Sequence, residues 1–227
     1  MFENTVVNVR NLFKSKYLKE DFVVDKTGVK MLEIPGFSFI ADEGWILRQA
    51  NEDYIKREIA WYNSKSLNVY DIEPPVPAIW KSVADKDGFI NSNYGWCIFS
   101  EENGNQYTNA LQELKAHPFS RRAIMIYNRP NMWEDYNKNG RSDFMCTNAV
   151  QYLFRNNKLH AFVQMRSNDA VFGYNNDWSW QRYVLFKLAH DLGVEMGDIY
   201  WNAGSLHVYE RHFKFVQQMI DETRSNI

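Results

Sequence analysis

Alternation of apolar and other positions dominates the middle of the chain. Leu159, Ala161, Val163 and Met165 are separated by His160, Phe162, Gln164 and Arg166, a period of two that predicts a strand. Residues 151–154 precede it as a second strand, and Arg155-Asn156-Asn157-Lys158 between them reads as a hairpin turn. Residues 29–34 and 37–40, separated by Pro35-Gly36, predict a hairpin or meander, preceded by a turn at Asp25-Lys26-Thr27-Gly28. Residues 123–127 and 198–202 read as short strands, and 91–99 as turn residues leading into a short apolar strand. Helical spacing marks residues 51–66, where Asn51 is the N-cap and Glu52 and Asp53 suit the positive helix end. It marks 105–117, which stops before Pro118, and a helix from Asp177 as N-cap to about 192, ended by Gly193. A last helix is expected from 206 to about 223, after a turn at Gly204-Ser205, and residues 1–20 read as helical or loosely ordered.

No Pro/Gly/Ser-rich linker divides the 227 residues, so one domain over 1–227 is expected, and 45% hydrophobic residues suffice for a full core. Aromatic residues at 16% suggest a site or interface lined by rings. A net charge of -2 gives no general attraction to nucleic acid or an anionic membrane, so an anionic substrate needs local arginines. There is no apolar run long enough to span a bilayer and no signal peptide. Two cysteines, Cys97 and Cys146, fit free thiols in a reducing cytoplasm. No CxxC or HExxH spacing occurs, so no metal is expected.

The candidate chemistry gathers between residues 143 and 183. The hairpin carries Cys146 back toward Arg166-Ser167, and a thiol beside a guanidinium suits a phosphorylated substrate. Cys97, in an apolar run, reads as an inert buried thiol. Elsewhere the local pattern leaves alternatives open. Glu58, beside apolar neighbours, is either a buried proton-transfer carboxyl or a surface partner of Arg57 or Lys65. Arg121-Arg122 is either a phosphate clamp or a solvated pair, Tyr94 lines a pocket or the core, and Lys26 reads as solvated.

FMCTNAVQY, MRSNDAVFG and GSLHVYERH, in this order and spacing, resemble the thymidylate synthase superfamily over roughly residues 20 to 215. DFVVDKTGVK, INSNYGW, SDFMCTNAVQY, RSNDAVFG and GSLHVYERHF look more specifically like its phage deoxycytidylate (dCMP) hydroxymethylases. The resemblance implies an α/β (α+β) fold: a large mixed sheet with helices on one side, whose other face forms a homodimer interface. It implies that Cys146 adds to C6 of the pyrimidine, its thiolate favoured by neighbouring positive charge from Arg166. Arg166, Ser167 and Lys26 become phosphate ligands, joined by Arg121 and Arg122 from the partner subunit. Asn168 and Asp177 address the base, and His207 and Tyr209 the sugar 3′-hydroxyl. Glu58 manages protons, Tyr94 lies near the C5 proton, and Trp80, Asp169 and Gly173 lie near the folate, 5,10-methylenetetrahydrofolate.

Three departures from the synthases carry the expected specificity. Asp177 stands where synthases have asparagine. An amide matches the acceptor and donor of uracil, whereas a carboxyl accepts from the cytosine 4-amino group and supplies a proton at N3. Thr147 stands where synthases have histidine. Eighteen residues follow Tyr209, a short polar tail that leaves the site open for water to add to a C5 methylene. The expected reaction is hydroxymethyl transfer to dCMP for modified phage DNA, in the cytoplasm of an infected host, with a nucleotide-synthesising complex as a candidate partner and no direct nucleic-acid or membrane contact. The alternatives are dUMP or CMP as substrate, synthase-type methyl transfer, or a non-catalytic nucleotide-binding protein.

Overall fold

A computed structural model describes residues 4–225. Its centre is one mixed sheet in the order β1-β2-β7-β5-β4-β3. The strands are β1 (Val23–Val24), β2 (Lys30–Ile40), β3 (Ile124–Ile126), β4 (Thr147–Arg155), β5 (Lys158–Met165), β6 (Asn168–Asp169) and β7 (Glu195–Tyr209). β7 runs parallel to β5 and β6 and antiparallel to β2. The β4–β5 hairpin turns at Asn156 and Asn157, both with positive φ (51° and 63°), the geometry of a two-residue turn that asparagine tolerates.

One face of the sheet is apolar and covered. Leu159, Ala161, Val163 and Met165 are buried, as alternation requires, together with Val150, Tyr152 and Trp201 of the neighbouring strands. Helix α7 (Gly173–Leu192) crosses this face and buries Tyr174, Trp180, Val184 and Leu188, with the Tyr174 and Trp201 rings 5.2 Å apart. Each such burial contributes about 1.5–3 kcal/mol. Residues of opposite parity, including Gln164 and Asn202, stay exposed, and Ile124 and Ile126 are 41% and 48% exposed. The remaining helices are α1 (Val6–Leu18), α2 (Glu52–Ser64), α3 (Ala78–Val83), α4 (Tyr94–Phe99), α5 (Gln106–Ala116), α6 (Met132–Asp135) and α8 (Phe213–Ser225). Asn51 caps α2 through the Tyr54 amide (3.1 Å), as the sequence predicts, and Asn105 caps α5 through the Thr108 amide (3.3 Å).

Four local expectations are corrected. The turn at Asp25-Lys26-Thr27-Gly28 closes a hairpin, Val23↔Met31 and Val24↔Lys30, but no second one follows: β2 continues through Pro35-Gly36 in unbroken register from Met31↔Tyr209 to Ile40↔Tyr200, because β7 is long enough to pair along its whole length. Residues 206–209 are strand, not helix. Gly204 sits inside β7 because a Cβ there would lie 2.9 Å from the Arg166 carbonyl oxygen, so the glycine marks close backbone approach rather than a turn. Residues 94–99 are helix, started by the Asn93 side chain accepting from the Trp96 amide (2.8 Å). Asp177 lies inside α7 rather than at its N-cap.

α4 packs on α2 through Gly95, where a Cβ would stand 1.8 Å from the Tyr62 carbonyl oxygen. Gly95→Ala is therefore expected to destabilise the fold by about 3 kcal/mol, the upper end of ordinary overpacking. Urea unfolding at neutral pH measures it.

Candidate active site

The β4–β5 hairpin closes on its functional end. Thr147 pairs with Met165, the Arg166 amide donates to the Cys146 carbonyl (2.9 Å), and Arg166 Nη2 lies 3.7 Å from Cys146 Sγ. Arg166 also donates through Nε to the Met145 carbonyl and through Nη2 to the Phe144 carbonyl, both at 2.8 Å. It thus braces the segment bearing the thiol. The other end of that segment is tied down by Asp143, which accepts from the Asn91 amide (2.6 Å), the Ser92 amide (2.8 Å) and Ser92 Oγ (2.6 Å). Bonds to a charged group of this kind contribute about 1.5–3 kcal/mol each.

Electrostatically the thiol departs from expectation. Burial pushes Cys146 up to about 11, opposed by Arg166 and reinforced by Asp177 and Asp143. One guanidinium does not outweigh desolvation plus two carboxylates, so the resting group is a thiol. Cys97 is buried and pushed up to about 12 by burial.

β5 and β6 are one strand interrupted at Arg166-Ser167, since β5 from Ala161 onward and β6 pair with β7 at the same offset (Met165↔Ala203, Asn168↔Leu206). Ser167 is half-buried at the break and Arg166 is exposed there. Past the break, Asp169 accepts from the amides of Val171 (3.1 Å), Phe172 (3.2 Å) and Gly173 (3.4 Å). Phe172 is the N-cap position, and Asp169, not Asp177, satisfies the amides at the mouth of α7. Asp177 lies one turn beyond Gly173 and faces back over β6: Asn168 Nδ2 donates to its Oδ2 (2.7 Å) and the Tyr94 hydroxyl to its Oδ1 (3.1 Å). Burial and then the charge of Glu58 raise Asp177 to about 8 against the two hydrogen bonds, although part of the residue is open to solvent. Glu58 is 3% exposed. Tyr54 donates to its Oε1, and Trp80 Nε1 lies 2.7 Å from the Tyr54 hydroxyl and 3.2 Å from the same carboxylate oxygen. Burial raises Glu58 to about 7, while Tyr54, Trp80 and Tyr62 oppose the rise. Of the two local alternatives for Glu58, the structure has the buried one.

His207 is buried on β7 opposite Asp169, its Nδ1 3.4 Å from the Ser205 carbonyl, with the Tyr209 ring 4.9 Å away. Burial pushes its pKa down and the Asp169 carboxylate pulls it up. The neighbouring turn is held by Asp25, which accepts from the amides of Thr27 (2.7 Å) and Val29 (3.1 Å), and Lys26 is exposed on it. Gly173 leaves space: a Cβ would sit 3.4 Å from Asp169 Cβ and 3.9 Å from Asp177 Oδ2, so a longer side chain would stand between the two carboxyls.

Arg121 and Arg122 are not brought to this site. They precede β3, whose first residue pairs with Gln151, five residues beyond Cys146 and so about 16 Å along β4. Arg122 pairs with Glu113 of its own chain (2.9 Å). Sequence reasoning missed Tyr54 and Tyr62, although Tyr54, Glu58 and Tyr62 recur every four residues and so share one helix face. It also missed Asp143, whose partners lie about fifty positions away and leave no local signal. Among the described residues, no group of three His, Cys, Asp or Glu side chains is arranged to hold a metal, and no helix is long and apolar enough to cross a membrane.

The sequence profile of thymidylate synthase matches residues 24–227. The chain belongs to the thymidylate synthase family. Within that family it is 56% identical over 219 residues to the deoxycytidylate 5-hydroxymethyltransferase of Enterobacteria phage T4, covering 93% of this chain and 89% of the relative; the phage T2 enzyme matches equally. The thymidylate synthase of Francisella tularensis is 26% identical over 222 residues, covering 90% and 81%. A thermostable thymidylate synthase A from Bacillus subtilis has the same fold, with a TM-score of 0.73 at 21% identity over 96% of this chain and 84% of that one.

Each raised carboxyl is neutral longer in the folded than in the unfolded chain. Folding stability is therefore lost as pH rises from about 4 through about 7 to 8, where Glu58 and Asp177 ionise. Asp177→Asn is expected to match the parent at pH 4 and to exceed it by at least about 1 kcal/mol at pH 8. Denaturant unfolding at the two pH values measures the difference.

Proposed function

We propose that this chain is a deoxycytidylate 5-hydroxymethyltransferase acting as a single domain over 1–227, with methylenetetrahydrofolate as co-substrate. The observation that carries the reading is Asp177, a carboxyl raised to about 8 that reaches the space between Cys146 and α7. At neutral pH it holds a proton for N3 of cytosine, and its oxygens accept from the 4-amino group. Asn168, whose Oδ1 is buried without a partner among the described residues, adds an acceptor that a ligand amino group would satisfy. The names of the phage relatives support the same substrate.

The residues divide the work by position. Arg166, Ser167 and Lys26 bind the 5′-phosphate, and His207 with Tyr209 the 3′-hydroxyl. Cys146 gives up its proton to solvent water and its sulfur bonds to C6. The C5–C6 electron pair shifts toward N3, which takes the proton of Asp177, and C5 becomes nucleophilic. The folate supplies an electrophilic one-carbon unit for C5, and Trp80, Asp169 and Gly173 border the space for it. Tyr94, fixed by Asp177, stands by the C5 proton. The C5 proton then leaves to water beside Tyr94, N3 returns its proton to Asp177, and tetrahydrofolate departs with the electron pair of its carbon–nitrogen bond and a proton from solvent, leaving a methylene on C5. In the last step, water oxygen bonds to that methylene carbon and its proton passes to Glu58. The displaced electrons restore the C5–C6 double bond and release the Cys146 thiolate. A carboxyl at about 7 both accepts and returns that proton near neutral pH.

The distance of Arg121 and Arg122 from their own Cys146 fits a homodimer, formed on the open face of the sheet, in which each site takes these arginines from the partner. The setting would be the cytoplasm of an infected host, beside other nucleotide-synthesising enzymes.

Incubation with methylenetetrahydrofolate and dCMP or dUMP, with products identified by mass and dihydrofolate followed by absorbance, tests the reading. Hydroxymethyl-dCMP without dihydrofolate is expected. A methylated product, or turnover of dUMP alone, would sink it. Asp177→Asn should shift preference toward dUMP by about 100-fold in kcat/KM ratio, the penalty for mismatched buried polar groups. Mixing inactive Cys146→Ser with inactive Arg121→Ala/Arg122→Ala chains should restore dCMP turnover. No recovery after confirmed subunit exchange argues against shared arginines.

A further inference from the structure

Tyr54 lies outside every role assigned so far, yet it is the centre of the polar contacts around Glu58. Its hydroxyl donates to Glu58 Oε1 and accepts from Trp80 Nε1 at 2.7 Å, and Trp80 Nε1 is 3.2 Å from that same Oε1. Helix α2 and helix α3 therefore meet on one carboxylate oxygen. The junction is braced from behind. Arg57 lies over the Tyr54 ring, 5.5 Å from its centroid, and donates to the carbonyls of Glu73 (2.6 Å) and Pro75 (3.0 Å) in the segment leading into α3. A surface tyrosine would need none of this.

We propose that Tyr54 is a positioning residue for hydroxymethyl transfer: its hydroxyl locks Glu58 Oε1 against the Trp80 indole and so keeps the carboxylate oriented for proton transfer to and from the reacting water. The inference rests on the proposed function and extends it to a residue that need not touch the nucleotide. Phenylalanine at 54 would keep the ring and its packing but free the carboxylate to turn. It would also withdraw one of the donors that favour the ionised form, so Glu58 would hold its proton to higher pH. The other groups bearing on Glu58 are Tyr62 on α2 and Trp80 on α3, with Asp177 on α7 coupled to it by charge; Arg57 bears on Tyr54, and Tyr94 on Tyr62. None of them is altered by the substitution.

The test measures dCMP turnover against pH for the full chain and for Tyr54→Phe, and titrates Glu58 in both by NMR of protein labelled with carbon-13 at the glutamate carboxyl. Glu58→Gln identifies the resonance. The expected result is an acid limb and a Glu58 titration both displaced upward by about one pH unit, with kcat reduced about tenfold at neutral pH and KM for dCMP unchanged. Trp80→Phe, which removes the other donor to Oε1, should displace the titration in the same direction and serves if Tyr54→Phe does not fold. An unmoved acid limb in folded Tyr54→Phe overturns the proposal and leaves the function standing. Absence of dCMP turnover in the unsubstituted protein overturns the function itself, whatever the titration does.

Discussion

Desolvation of two carboxyl groups in one cleft is the constraint on which the rest of the site depends. Glu58 comes from α2 and Asp177 from α7, and each is held above its ordinary range by burial, with Glu58 raising Asp177 further. The hydrogen bonds around them come from neutral groups: Tyr54 and Trp80 on one side, Tyr94 and Asn168 on the other. Neutral donors orient a carboxyl without fully ionising it. A lysine or arginine in their place would depress both groups and leave no proton to give at neutral pH. The aromatic content of the chain has a chemical use here, because tyrosine and tryptophan supply donors and low polarity together.

The same desolvation acts against Cys146. A thiol raised to about 11 is a poor nucleophile at rest, and Arg166 spends two of its contacts on the carbonyls of Phe144 and Met145. The resting geometry thus serves placement more than activation. Asp143, Asn91 and Ser92 hold the segment from one end and Arg166 from the other, so the sulfur is delivered to a fixed point by contacts that involve no substrate. Fixed placement of this kind converts an encounter into an intramolecular step.

Much of this was legible in the chain. The period-two pattern in 159–165, the Asn-Asn turn and the Asn51 cap appear as predicted because each depends on neighbours in sequence. The expected meeting of Cys146 and Arg166 follows from hairpin closure. Two of the failures share a cause. Gly204-Ser205 reads as a turn and is strand, and the apolar run at 94–99 reads as strand and is helix; in both the deciding partner is remote, the Arg166 carbonyl and the Tyr62 backbone. Asp177 reads as a cap and lies within a helix for a local reason, since Asp169 accepts from the amides two to four residues after it and starts the helix earlier. The sign of the Cys146 shift was illegible for a related reason, since burial is a property of the fold and outweighs the one visible cation.

The interrupted strand has a consequence for how such a chain tolerates change in length. β5 and β6 pair with β7 at one offset on both sides of Arg166-Ser167, so the interruption is a splice with no slack. Residues inserted at the Asn156-Asn157 turn would lengthen a loop at the far end and leave the site alone. A single residue gained or lost at the splice would exchange the faces on which Asn168 and Asp169 stand, taking Asn168 from Asp177 and Asp169 from His207. Variation in length is therefore partitioned by the sheet itself: free at one end of the hairpin and forbidden at the other.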